Sequence, residues 1–159
     1  MSGALLNHTT QIDAGKTAME IVGELALHKC LHINLETDGL GSFTGVVFGV
    51  MVGDSEQAFR LPVNTDACYE ALRKNNHEGR IPGRFVNQDQ AQRVAWRIVK
   101  TWVMAQIAII ESGMVTMEQV FLPYLLLDGG KQTLFQKMEQ RFLELPEGRQ
   151  KGGTDEYGN

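Results

Sequence analysis

Apolar residues recur at helical spacing in the first patterned segment of the chain, between Thr17 and Lys29. A repeat of three to four residues places these side chains on one face, so the pattern predicts a helix with one buried side. Thr17 and Glu20 have the spacing of a capping box, which predicts that the helix begins at Thr17. The residues before it, 1–16, are predicted to form a flexible N-terminal arm.

Three segments with strand patterns follow, separated by short polar turns. Residues 31–37 alternate between apolar and polar, residues 43–52 are mostly apolar, and residues 57–63 make a shorter third segment. Turns of this length join antiparallel neighbours, so we predict a three-stranded antiparallel sheet. Within the second strand, Gly45 and Gly49 indicate bulges or a close approach of other groups.

The remainder of the chain has helical periodicity. A second helix is predicted after a cap at Asn64 or Thr65. The helix predicted over 88–112 has two apolar stripes, so we expect it to be buried on most of its circumference and to be the central helix of the C-terminal half. Thr116 and Gln119 form a second capping box before a short helix, and a last amphipathic helix follows a glycine-rich turn.

These elements predict an α+β fold in a single domain, residues 17–144. The domain combines an α-β-β-β-α part, 17–75, with a helical part, 88–144. Residues 145–159 are polar and glycine-rich, which predicts a disordered tail. The segment FLPYLLL, 121–127, has more apolar residues than a short helix buries against one neighbour. Cover by the long helix and a homodimer through the C-terminal half are both open alternatives.

Composition and charge favour a soluble protein of the cytoplasm. The formal net charge of the 159 residues is −4, whereas proteins that coat nucleic acid need an excess of Lys and Arg. The longest near-apolar run, 102–110, is about half of what a membrane span requires, and the N-terminus lacks a secretory pattern. Cys30 and Cys68 lie in apolar segments and fit reduced, partly buried thiols. We expect no membrane association.

The letters GKT at residues 15–17 match the end of a phosphate-binding loop. The full pattern requires a glycine at position 10, where this chain has Thr10. A nucleotide-binding fold also needs parallel strands, but the strands after the first helix have antiparallel connections. The pattern therefore predicts no nucleotide site.

The sequence also lacks the spacing of known catalytic and metal motifs. Its His and Cys residues match no zinc pattern, and no Ser or Cys stands in a nucleophile elbow. We predict no catalytic residue, no metal ligand and no cofactor. One catalytic alternative stays open, a carboxylate–metal site formed by Glu36, Asp38 and Asp54 around the hairpin.

Cations are concentrated between residues 73 and 100, where seven of the fifteen Lys and Arg residues lie. Arg93, Arg97 and Lys100 fit the solvent-exposed edge of a mostly buried helix. The alternative is an anion-binding surface for a nucleic acid or an acidic protein. Its candidate residues are Arg73, Lys74, Arg80, Arg84, Arg93 and Arg97.

Three stretches carry a resemblance to a known group of proteins: AFRLPVN, QAQRVAWRIVKTWVMAQIAIIESGM and EQVFLPYLLLDGGKQTL. Together they resemble small accessory proteins carried by bacteriophages and prophages. The likeness covers most of residues 17–138 and is strongest over Gln90–Leu134. It implies a protein that acts in the cytoplasm of a host bacterial cell, near genes for DNA replication, recombination or counter-defence. It implies no catalytic residue.

We therefore expect a non-enzymatic protein that binds a nucleic acid, or a host or phage protein that handles nucleic acid. The alternative is an inhibitor of a host defence protein that uses a protein–protein surface. That surface would be the acidic edge of the hairpin, acting as a nucleic-acid mimic, with Glu36, Asp38, Asp54 and Glu56. A carboxylate–metal enzyme is the third expectation.

Overall fold

The computed structural model describes residues 3–145. Its helices are α1 (Ala14–Leu27), α2 (Thr65–His77), α3 (Gln88–Glu111), α4 (Met117–Phe121) and α5 (Leu134–Glu144). Its strands are β1 (Leu31–Thr37), β2 (Phe43–Val52), β3 (Ser55–Pro62), β4 (Leu126–Leu127) and β5 (Gln132–Thr133). Residues 146–159 of the predicted tail lie outside the described residues. No described helix combines the length and the apolar character that crossing a bilayer requires.

The three long strands form one antiparallel sheet in the order β1-β2-β3. The predicted α+β class is therefore confirmed, with strand positions close to those expected from the pattern. The short strands β4 and β5 form a separate antiparallel hairpin. Leu125, just before that hairpin, bridges to Phe59, so this segment lies along the edge of β3.

The main core lies between the inner face of the sheet and the helices. Phe48 of β2 and Phe59 of β3 stack with ring centroids 5.8 Å apart, and Phe121 of α4 meets Phe48 edge-on at 5.5 Å. Trp96 of α3 is fully buried, and its Nε1–H donates to the carbonyl oxygen of Phe43 at 3.2 Å. The predicted central helix α3 is thus joined to the sheet by packing and by a buried hydrogen bond. Its C-terminal half is less enclosed, since Met104 is exposed.

The outer face of the sheet carries charged side chains laid over two glycines of β2. Glu36, which pairs with Arg60 at 2.9 Å, lies over Gly45, where an added Cβ would come within 3.3 Å of its carboxylate. A Cβ at Gly49 would meet the carboxylate of Glu56 at 2.1 Å. Both glycines therefore mark a close approach of other groups, and the register between β1 and β2 is irregular beside each of them, so both predicted reasons for them are confirmed.

The start of α1 differs from the prediction. The N-cap is Asp13, whose Oδ2 accepts from the backbone N–H of Lys16 at 3.2 Å. Thr17 lies inside the helix and is fully buried, with its hydroxyl donating to the carbonyl oxygen of Asp13 at 3.4 Å. The capping box of Thr17 and Glu20 was wrong because residues three apart also share one face of a helix. Here that face packs against α3.

The segment before α1 is held against the helices. The N–H of Leu5 donates to Oδ1 of Asn75 at 3.0 Å. Nε2 of Gln90, a buried side chain of α3, donates to the carbonyl oxygens of His8 and Thr10 at 2.7 and 3.0 Å. In its described part, the predicted arm of residues 1–16 is therefore packed rather than free. Sequence periodicity does not reveal this, because the contacts join residues about 80 positions apart.

We predict that Asp13→Ala lowers the free energy of unfolding by about 1 kcal/mol, because the variant leaves the first turn of α1 without its side-chain cap. Lys16→Ala should change it little, since Lys16 contributes only its backbone N–H to this cap. Urea denaturation followed by circular dichroism measures both values. An equal loss in the two variants would contradict the assignment of the cap.

His28 joins the end of α1 to the end of α3. Its Nε2 lies 2.7 Å from Oε1 of Glu111, and its Nδ1 lies 2.8 Å from the carbonyl oxygen of Glu24. Both ring nitrogens donate only when the imidazole is protonated. The hydrogen bond to Glu111, followed by that to Glu24, raises the pKa of His28 above 6.5. The charged form of His28 is therefore favoured in the folded state.

A raised folded pKa makes a stabilising contribution that is complete below pH 6.5 and disappears as the pH rises through the folded pKa. We expect the melting temperature of the wild type to exceed that of Glu111→Gln at mildly acidic pH, and the difference to shrink at mildly alkaline pH. Differential scanning calorimetry across this range measures the difference. A constant difference at every pH would show that His28 does not cause it.

Candidate functional site

The end of α2 and the loop after it are fixed by side-chain amides. Nδ2 of Asn75 donates to the carbonyl oxygen of Ala71, and Nδ2 of Asn76 donates to the carbonyl oxygen of Ile81 at 3.0 Å. The N–H of Arg80 donates to the carbonyl oxygen of Asn75 at 2.8 Å. These bonds fold the loop back onto the last turns of α2. The loop therefore holds a defined conformation that local sequence patterns do not specify.

A small second core supports the same loop. Leu72 of α2, Ile81 and Phe85 of the loop and Ala91 of α3 form a buried cluster separate from the main core. The 3₁₀ turn Gly83–Phe85 places Phe85 in this cluster. The loop is thereby anchored at both ends to helices that pack against each other.

Four of the predicted binding residues lie at the end of α2 and on this loop. We call Arg73, Lys74, Arg80 and Arg84 the basic corner. Arg73 pairs with Glu70 at 2.7 Å and Arg80 pairs with Glu78 at 2.5 Å. The guanidinium of Arg84 lies 4.8 Å from the ring centroid of Phe85. Among the described residues, no carboxylate pairs with Lys74 or Arg84.

The other two predicted binding residues have contacts within the fold. Arg93 donates through Nε and Nη2 to Oε1 of Gln90, the side chain that holds the N-terminal segment. Arg97 donates to Glu20 of α1 at 2.9 Å, and Lys100 pairs with the same carboxylate. The hydrogen bond from Lys100, and then that from Arg97, keeps the pKa of Glu20 below its usual value.

Arg97 and the basic corner lie on different sides of α3. Ala95, Ile98 and Val99 line a small crevice between α2 and α3. Arg97 and Lys100 project about half a helical turn away from these residues, toward α1. The structure therefore does not bring the six predicted residues into one surface, and only the four of the basic corner share a location.

The carboxylates of the hairpin are also separated. Asp38 lies in the β1–β2 loop and accepts the N–H groups of Leu40 and Ser42, whereas Asp54 lies in the turn at the other end of β2. A strand of ten residues separates its ends by about 30 Å. Glu36 is paired with Arg60. Neither the carboxylate–metal site nor a continuous acidic edge is formed by these residues.

The structure shows one polar cleft that the sequence patterns did not indicate. It has a volume of about 510 Å³ and lies between the β1–β2 loop and the first turns of α2 and α3. Its carboxylates are Asp38, Asp66 and Asp89, of which the latter two occupy the N-terminal turns where negative charge stabilises a helix. Within the described residues, no three His, Cys, Asp or Glu side chains are placed to hold a metal ion.

Both cysteines are buried parts of the main core. Sγ of Cys30 lies 3.4 Å from Sδ of Met117, and Cys68 lines the crevice between α2 and α3. Burial raises the pKa of each thiol to about 11. Since the thiolate is the nucleophile, neither side chain is poised for covalent catalysis near neutral pH.

Comparison with protein-family models, with curated proteins and with solved structures found no match to this chain. The assignment of a function therefore depends on the residues and their geometry.

We predict that the Glu20–Arg97 contact stabilises the fold. Its side chains are 30% and 22% exposed, so a double-mutant cycle with Glu20→Gln and Arg97→Gln should give a coupling free energy of about 1 kcal/mol. The control cycle uses Glu70 and Arg73, whose side chains are 60% and 66% exposed and should couple by close to zero. Urea denaturation of each variant supplies the free energies. Equal coupling in both cycles would contradict the structural role of Arg97.

Proposed function

We propose that this protein is a non-enzymatic accessory protein of the phage type, that it acts in the bacterial cytoplasm, and that it binds nucleic acid through the basic corner. The partner is a nucleic acid of the replication, recombination or defence machinery of host or phage. The supporting observation is the concentration of Arg and Lys at the end of α2 and on the hydrogen-bonded loop that follows it. The proposal retains four of the six residues selected from the sequence.

The charge of the basic corner is opposite to that of the chain. Residues 70–84 contain four Arg and Lys residues and two Glu residues, a local net charge of +2, whereas the whole chain has −4. A localised positive region attracts phosphates while the rest of the surface repels them. Such a distribution supports contact with a short length of nucleic acid rather than general coating.

The ion pair between Arg73 and Glu70 leaves the guanidinium of Arg73 accessible to phosphate. Arg73 and Glu70 are both more than half exposed, and exposed pairs of this kind contribute about 0–1 kcal/mol. A phosphate oxygen can therefore replace Glu70 at low cost. Lys74 and Arg84 need no such exchange, because no described carboxylate pairs with them.

The fixed loop geometry supports binding without a large ordering cost. Arg84 lies at the 3₁₀ turn whose Phe85 is buried in the second core, and Arg80 is tied to α2 through its backbone. Because these backbone positions are set before any ligand arrives, less conformational entropy is lost on association. The observation supports phosphate recognition by position rather than reading of bases.

Two observations support binding rather than catalysis. The thiols have pKa values of about 11, and the carboxylates Asp38 and Asp54 lie at opposite ends of β2. The same separation weakens the alternative in which an acidic hairpin edge mimics nucleic acid.

The test is fluorescence anisotropy with labelled single-stranded and double-stranded DNA and RNA at low salt. We expect Lys74→Glu combined with Arg84→Glu to weaken binding on the order of tenfold and to reduce its salt dependence, because two phosphate contacts are lost. The matched control combines Lys16→Glu with Lys131→Glu, two exposed positions outside the corner with the same total charge change.

The control is expected to weaken binding much less than the corner variant. Absence of binding to all four probes at low salt would refute the proposal. Equal weakening by both double variants would show that only overall charge matters, and would equally overturn the assignment to the basic corner.

A further inference from the structure

The last helix, α5, carries a continuous apolar stripe that the domain does not cover. Residues Phe135, Met138, Phe142 and Leu145 are 57%, 44%, 68% and 63% exposed, and α5 contains no buried residue. Their spacing of three, four and three residues is that of the a and d positions of a coiled coil. The helix therefore presents a seam of the kind that packs against another helix.

Only the beginning of α5 is attached to the domain. The N–H of Leu134 donates to the carbonyl oxygen of Leu125 at 2.8 Å, and Thr133 with Gln136 forms a capping box. α5 has 11 residues, and isolated helices shorter than about 12–15 residues are only marginally stable in water. Packing of the apolar stripe against another surface supplies the missing stabilisation.

No element within residues 3–145 covers this stripe. Phe121 is buried in the core and Leu125 lies along β3, so most of the FLPYLLL segment is used within the fold, and Leu122 is its one strongly exposed leucine at 47%. The sequence of residues 146–159 contains one large apolar residue, Tyr157. Among the described residues the stripe is uncovered, so it is available to a partner.

We infer that this partner is a second copy of the protein, and that the α5 stripes of two chains form a homodimer interface. The charges of α5 are balanced, with Lys137 and Arg141 against Glu139 and Glu144. Two copies of a neutral helix do not repel each other, and they offer matching apolar seams.

The exposed area of the stripe fits a small interface between two copies. A fully exposed large side chain has a surface area of roughly 200 Å². The four stripe residues therefore expose on the order of 450 Å² of apolar surface in each copy. Two copies together provide about 900 Å², close to the roughly 1,000 Å² of a small specific interface. The patch on each copy is in the range of the largest apolar patch of a typical monomer, which is often functional.

The polar face of α5 disfavours a membrane surface as the occupant. Helices that lie on anionic bilayers carry Lys and Arg in excess on their polar side. In α5 the two cations are matched by two carboxylates, so lipid headgroups have no net charge to attract. Association with a second copy of α5 does not require an excess of positive charge.

The experiment is sedimentation equilibrium on the full chain over a wide concentration range. We expect the wild type to be a dimer at micromolar concentration and Phe142→Glu to be a monomer, with the dimer dissociation constant raised at least a hundredfold. The control is Leu143→Glu, which alters a neighbouring residue that is 81% exposed but lies outside the stripe, and which should remain a dimer.

Circular dichroism melting of each variant shows that the domain stays folded, as expected for positions on a helix with no buried residue. A wild type that remains monomeric at the highest concentration would overturn the inference without any variant. So would dimers that persist in Phe142→Glu, or dissociation by Leu143→Glu to the same extent. Co-sedimentation with anionic phospholipid vesicles by a monomeric wild type would identify a membrane surface instead.

Discussion

The burial of Trp96 is the constraint on which the rest of the fold depends. An indole enclosed in the core must satisfy its N–H, and the acceptor is the carbonyl oxygen of Phe43 at the start of β2. This bond fixes the position of α3 relative to the sheet. Because α3 lies at the centre, it also decides where α1 and α2 pack.

The position of α3 divides the cations of the sequence into two groups. Arg97 and Lys100 face α1 and share the carboxylate of Glu20, so their charge is used to join two helices. The basic corner lies at the far end of α2, where it is supported by the small core around Phe85. The basic residues between 73 and 100 thus have two physical roles. Only one of these roles leaves positive charge directed to the solvent.

The proposed functions of the two surfaces are compatible. The basic corner is polar, and its loop is fixed by hydrogen bonds, whereas the α5 stripe is apolar and attached at one end only. A dimer formed through α5 would present two basic corners, one from each chain. Two weak phosphate-binding surfaces on one particle raise the apparent affinity for a long polyanion without any new contact.

Local patterns predicted the elements of the fold well. Period-two alternation located β1, and the capping box of Thr116 and Gln119 is present with both of its hydrogen bonds. The same type of pattern failed at Thr17, because a threonine and a glutamate three residues apart also fit a helix face that packs on a neighbour. Whether such a pair caps a helix or packs on a neighbouring helix depends on residues that are distant in the sequence.

Local spacing is enough to specify the α+β class, the antiparallel sheet and the amphipathic character of α5, because each depends on neighbouring residues. Tertiary packing, by contrast, selects the cations that stay unpaired, since the carboxylate that neutralises Arg97 is 77 residues away. It also decided that the apolar surplus lies on α5 rather than on FLPYLLL, because β3 offers an edge to Leu125 and no described element covers Phe142. Long-range packing is not encoded in local periodicity, and the candidate surfaces of this protein are what remains after that packing is complete.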